Sequence, residues 1–174
     1  MKGKLLLIFM LLTLLLAGCG GGPKADVPIF MMGQNGVPNE VGDKLQSALQ
    51  TKLGQAPTVS VLTVPVFSME KLIVEIAAGD NGIIIVPTEQ FNVIGKQGGY
   101  VSLDDIAKKE DFPAGVLELP VEGKTEKHLY GIPLEQTKWF TELKLNGKDL
   151  VAFVPANAKN QDKVMQVMKV IAQK

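Results

Sequence analysis

The reactive side chains of this sequence are few and badly spaced for catalysis. His128 is the one histidine and Cys19 the one cysteine among 174 residues. A paired-histidine metal site and an intrachain disulfide are therefore both out of reach. The neighbouring acids Asp104-Asp105 and Glu110-Asp111 would point in different directions on a helix, and they read as a cap and a solvated face. No Gly-x-Ser-x-Gly elbow occurs. Gly33-x-x-Gly36 is too short for a phosphate loop and runs on into Pro38. These patterns predict a protein that is not an enzyme and carries no metal or cofactor. What remains is hydrogen-bonding chemistry. Gln34 and Asn35 follow one apolar run, and Thr88, Glu89 and Gln90 follow another. Such groups can read sugar hydroxyls or peptide amides, and helix starts beside them would add unpaired N–H groups. The competing reading has Asn39 and Thr88 capping helices while the others face water.

Two aromatics and one acid extend the candidate set. Trp139, the single tryptophan, sits in Glu135-Gln136-Thr137-Lys138-Trp139-Phe140. An exposed indole beside Glu135 could stack on a sugar or anchor a partner; a core aromatic fits the same residue. Tyr130, before Gly131, is either a core residue or a ligand contact. All 18 basic residues are lysines, so no bidentate arginine fork exists for a carboxylate, sulfate or phosphate. There is no basic patch to recruit nucleic acid.

The first 18 residues predict a segment that is removed. Met1-Lys2-Gly3-Lys4 is basic, and Leu5–Leu16 is almost wholly aliphatic but short for a membrane span. Leu16-Ala17-Gly18-Cys19 resembles the lipobox of bacterial lipoproteins. That resemblance implies cleavage before Cys19 and acyl chains on its sulfur and new amino group, a stable anchor once two or more chains are present. The expected organisation is a signal peptide at 1–18, a lipid-anchored flexible tether at 19–26 and a single domain at 27–174. Without Lys2 and Lys4, sixteen basic residues face eighteen acidic ones, a net charge of about −2.

The elements that must position the candidate residues follow from periodicity. Val27–Met32 and Thr58–Val64 read as strands. Asn39 to Leu53 reads as a helix, with Val41, Leu45, Ala48, Leu49 and Leu53 on one face. Ser68 caps a second helix that Gly79 closes, and Thr88 opens a short third one. Ile83–Val86 has no polar alternation, as expected of a central strand covered on both faces. Ser102–Asp105 predicts a capping box and a short helix to Lys108. Val116–Val121 and Leu129–Leu134 predict short strands around a polar loop, Glu122–Lys127. Asn146-Gly147 predicts a hairpin joining Glu142–Leu145 to Lys148–Val154. A last helix is expected from about Asn160. The alternation predicts an α/β fold: three layers, a mostly parallel sheet with helices on both faces, plus an antiparallel hairpin.

Several segments resemble the extracellular (family 1 type) solute-binding lipoproteins of ABC importers, which have the type II periplasmic-binding-protein fold. These are Leu72–Val86 (LIVEIAAGDNGIIIV), Gly98–Ile106 (GGYVSLDDI), Tyr130–Leu134 (YGIPL) and Phe153–Ile171. They occur in the family's order. The chain is about half the family's usual length, so it resembles one lobe, with a hairpin where the second lobe would be inserted. The resemblance implies a lipid-anchored protein on the extracytoplasmic face of the cell membrane. It would bind a small polar solute such as a sugar and work with an importer permease. Ligand contacts would come from Gln34, Asn35, Thr88, Glu89, Gln90, Tyr130, Glu135 and Trp139. A second reading is a protein-interaction module derived from a single lobe, which predicts an exposed apolar patch around Trp139, Phe140 and Val151.

Overall fold

The computed structural model describes residues 24–121 and 124–174. The expected signal peptide, Cys19 and the tether as far as Pro23 lie outside them. Asp26, expected to be the last tether residue, is instead fixed to the domain. Its carboxylate accepts from the amide and hydroxyl of Thr58 and pairs with Lys163. The lysine and Thr58 hold its pKa down at about 2.

Five strands form the central sheet: β1 (Val27–Met31), β2 (Val59–Thr63), β3 (Ile83–Pro87), β6 (Gly131–Pro133) and β7 (Leu150–Phe153), in the order β2-β1-β3-β7-β6. β1 pairs in parallel with both β2 and β3, in a register that sets Ile29 against Val61 and Ile83. β7 runs antiparallel to β3 and to β6. β6 is therefore parallel to β3, and β7 is the one reversed strand. Every residue of β3 is buried, and Ile83–Val86 are fully so. The aliphatic run is central because each of its faces has a core to fill.

Strand alternation divides those cores. Ile29, Met31, Ile83, Ile85, Ala152 and Val154 point to one side. There they meet α1 (Asn39–Leu53), α4 (Lys138–Thr141) and α5 (Gln161–Ile171). Phe30, Ile84, Val86, Val151 and Phe153 point to the other. That side carries α2 (Met69–Ala78), α3 (Thr88–Gly95) and an antiparallel ribbon of β4 (Val116–Val121) and β5 (Lys124–Leu129). Tyr100 closes this second core, stacking on Phe91 at 5.3 Å and donating its hydroxyl to the Phe91 carbonyl.

The fold class is as expected, but the hairpin is elsewhere. Glu142–Leu145 forms turns that continue from α4: the amides of Lys144 and Leu145 donate back to Thr141 and Phe140. Asn146 accepts from the Lys148 amide through its side chain, which makes an Asx turn in place of the primed turn. The observed hairpin pairs β4 with β5, using residues expected to be a polar loop. Ser102 to Lys108 forms turns in place of the expected helix, and 3-10 turns follow at Lys109–Asp111 and Pro113–Gly115. Ser68 does cap α2, accepting from the Lys71 amide, and Gly79 ends it at φ 64°. Thr88 and Asn39 do not cap. They are the first residues of α3 and α1, behind the extended residues Pro87 and Pro38.

Both sheet edges are closed. Gln46 and Gln50 of α1 accept, through their side-chain oxygens, the outward amides of Val61 and Val59 on β2 at 2.9 Å. Beside β6 lies the 3-10 turn Pro113–Gly115. A Cβ on Gly115 would fall 1.8 Å from the Gly131 oxygen, so only glycine allows this approach. Unpaired strand edges invite pairing with other chains, and here neither is open.

Candidate functional site

The carboxyl ends of β1, β2, β3 and β6, together with the start of β7, meet at one end of the sheet. Between two of the turns there lies a cleft of about 420 Å³. One wall is Gly33–Gly36, a turn closed by the Gly36 amide donating to Gly33. Gly36 has φ 76°, and a Cβ there would strike the Pro65 carbonyl oxygen at 1.9 Å. The amide of Val37 next to it donates to Val64, so the turn is fastened to the β2 loop. The other wall is Asn146–Asp149. Its Asp149 carbonyl accepts from the Thr88 amide at 2.8 Å, which ties this wall to the start of α3.

The cleft has an apolar floor and polar shoulders. Met31, Val37, Pro87, Phe140, Leu145 and Leu150 contribute below. Gln34 and Asn35 on one shoulder, and Asn146, Lys148 and Asp149 on the other, are exposed at the lip. The shoulders bring several amides and one charge of each sign, with no excess of either. That mixture suits a neutral ligand with apolar faces and hydrogen-bonding edges. Among the described residues no group of three or more His, Cys, Asp or Glu is placed to hold a metal ion.

The other candidate residues are scattered. Glu89 is exposed and Thr88 half-buried at the start of α3, outside the cleft proper. Gln90 is buried, and its side-chain oxygen lacks a partner. Glu135 is exposed on the same rim, after β6, but lines a separate hollow of about 160 Å³ with Phe112 and Lys174. Tyr130 precedes β6, so it lies at the opposite end of that strand, 6% exposed in the second core.

Trp139 is fully buried, packs edge-on against Phe140 and donates its indole N–H to the Leu45 carbonyl at 3.0 Å. Of the two readings open for Trp139 the core aromatic is the one observed, and its place among the expected ligand contacts is corrected: with its one polar atom satisfied inside, the ring gains by burial. Phe140 and Val151 are buried as well, so the apolar patch expected around these three residues does not exist. Asn146, Lys148 and Asp149 were legible only as hairpin residues. The polar turn at Asn146-Gly147 was the signal that could have placed them on the rim.

A second polar cluster lies on the ribbon. His128 of β5 contacts Asp104 through Nδ1 at 2.5 Å and Glu126 through Nε2 at 3.0 Å. The other oxygen of Asp104 accepts the Leu129 amide. Hydrogen bonds to the two carboxylates raise the pKa of His128 above its ordinary value. Asp104 is pushed up by partial burial, but the Leu129 amide and His128 outweigh this and hold it below its ordinary value. Through Asp104 the cluster joins the ribbon to the loop that follows Ser102 and reads as a latch between them.

No protein-family model matches the chain. It is similar to the "Putative lipoprotein YteS" of Bacillus subtilis (strain 168), at 26% identity over 133 residues that cover 71% of this chain and 75% of that one. A solved structure of CpMnBP1 with mannotriose bound aligns with 70% of this chain at a TM-score of 0.40 and 17% identity. The chain spans 33% of that protein's length. The first likeness agrees with a lipoprotein. Among the described residues no helix is long and apolar enough to cross a membrane.

Proposed function

We propose that this chain is an extracytoplasmic lipoprotein, anchored by acyl chains on Cys19, that binds a small uncharged polar solute such as a sugar. The cleft between the turns Gly33–Gly36 and Asn146–Asp149 is its binding site. The observation that carries this reading is the pairing of exposed amides, Gln34 and Asn35, with an apolar floor at the carboxyl ends of parallel strands. Ligands of open α/β sheets collect at such ends. On this reading the protein binds without transforming its ligand and passes it to an ABC importer permease. The lipobox-like Leu16–Cys19 and the likeness to a lipoprotein support the anchor.

An open cleft encloses less of a ligand than a closed one, so affinity should be weak. Thermal-shift screening of mono- and oligosaccharides at millimolar concentration, followed by calorimetry of the hits, tests the reading. A saccharide that raises the melting temperature and titrates with a defined stoichiometry supports it. A flat response across the panel counts against it.

A further inference from the structure

The sheet's two sides differ in how well their helices are covered. Five large aliphatic side chains stand exposed among the described residues: Leu62, Val66, Ile73, Val74 and Val93. All five belong to the side that carries α2 and α3. Leu62 alternates with Val59 and Val61, which pack on the opposite core. Val66 lies between Val64 and Phe67, and both of these pack on the α2 side. Val93 is on α3, whose Phe91 and Ile94 pack there too. The α2 sequence MEKLIVEIAA has seven apolar residues in ten, yet Leu72 is its one buried residue. Ile73 is 57% and Val74 64% exposed. The outer face of a surface helix is ordinarily polar, and this one carries two large aliphatics beside its charges.

The described chain begins at the base of the sheet, where Lys24 lines a hollow together with Glu75 and Asp80, at the C-terminal end of α2. Lys24 also lines a hollow with Gln46 and Gln50 of α1, so both sides lie within reach of the anchor and the exposed aliphatics decide between them. Five residues separate Lys24 from the position before Cys19, and so many residues reach at most about 18 Å. α2 itself is about 15 Å long. We propose that the outer face of α2, with Ile73 and Val74 at its centre, rests in the interface of the bilayer that holds the Cys19 acyl chains. This rests on the lipoprotein reading and not on the identity of any solute. Once the anchor holds the domain at the surface, a small apolar contact suffices, because the second binding event is intramolecular. The helix carries a net charge of −1: Lys71 pairs with Glu75 four residues on, and Glu70 stays exposed. Contact is therefore driven by apolar burial and gains nothing from anionic lipid, which the net negative charge disfavours.

The test uses the acylated full-length lipoprotein in vesicles of phosphatidylethanolamine and phosphatidylglycerol at two ratios. Acylation of Cys19 leaves an introduced cysteine as the single thiol. An environment-sensitive fluorophore is placed on Val74→Cys, or on Ser47→Cys, an exposed position of α1 on the other side of the sheet. The expected result is blue-shifted emission and quenching by nitroxide lipids at position 74 alone. The effect should be no stronger at the higher phosphatidylglycerol ratio and disappear when Ile73→Glu is added. Equal quenching at 47 and 74, or none at 74, overturns the proposal. So does shielding of position 74 that appears without vesicles and grows with protein concentration, since a second copy would then be the cover. A mass spectrum without acyl chains overturns both the proposal and the anchor, while sugar binding by the domain stays a separate measurement.

Discussion

The backbone amide of Thr88 donates to the carbonyl of Asp149 at 2.8 Å, and this bond joins the start of α3 to the turn that forms one wall of the cleft. Asp149 makes the bond at φ 60°, in the left-handed region. A residue other than glycine, asparagine or aspartate pays about 1–2 kcal/mol there. Asp149→Gly should therefore keep or raise the denaturation midpoint, whereas Asp149→Val should lower stability by about that amount. Urea denaturation of both variants checks the sign.

Burial of Trp139 makes a second prediction. Trp139→Ala should cost about 3–5 kcal/mol by opening a cavity under α1 and α4. Trp139→Phe removes the indole donor to Leu45 but keeps much of the volume, so its cost should be smaller, about 1–3 kcal/mol. The wild-type emission should be blue-shifted and resist iodide quenching. Ready quenching would place the indole at the surface after all.

The glutamines on the β2 edge are a third test. Gln46→Ala with Gln50→Ala removes the acceptors of the Val61 and Val59 amides. Each orphaned amide should cost about 1 kcal/mol or more, and the freed edge should promote pairing between molecules. The expected outcome is a lower denaturation midpoint together with concentration-dependent light scattering. Unchanged scattering and stability would show that the glutamines merely decorate the edge.

The latch at His128 gives a pH dependence with a definite sign. Its folded pKa is raised above 6.5 by the carboxylates of Asp104 and Glu126. The stabilisation is then complete below about 6.5 and is lost as pH rises through the higher folded value. Asp104 is lowered from 3.8, so its contribution is present above 3.8 and lost as pH falls through its folded value. The latch is strongest between those two limits. Melting temperatures from pH 4 to 9 should fall more steeply above about pH 6.5 in the wild type than in His128→Gln. Parallel curves would remove the latch.

The legible parts of the fold were those whose pattern and environment agree. Ile83–Val86 reads as a buried strand because four aliphatics in succession can be satisfied only between two layers. Ser68 and Gly79 read correctly because a hydroxyl acceptor and a left-handed glycine have few other uses at helix ends. β5 was not legible: Lys124–Lys127 is exposed on a two-stranded ribbon, so nothing forces an apolar period on it. The Asn146-Gly147 hairpin failed because β7 finds better partners far away in β3 and β6. Gly147 is needed for another reason, since a Cβ there would meet the Leu134 backbone at 2.8 Å.

Of the candidate site, the rim was legible and its membership only in part. Strand order and the buried β3 place Gln34, Asn35, Thr88 and Glu135 at one end of the sheet. Which turn faces which depends on contacts between Asp149 and Thr88, and between Val37 and Val64, that no local pattern encodes. Trp139 could not be assigned to surface or core without the Leu45 carbonyl, 94 residues away in sequence.

The central claim is that the cleft lip binds an uncharged polar solute. Isothermal calorimetry with the best saccharide from the screen, on the wild-type domain and on Gln34→Ala with Asn35→Ala, tests it most directly. Both side chains sit on an exposed turn, so melting temperature should be unchanged. Affinity should fall about tenfold, the equivalent of roughly 1.4 kcal/mol in lost hydrogen bonds. Equal affinity in the variant, or no saccharide binding to the wild type at millimolar concentration, would contradict the account.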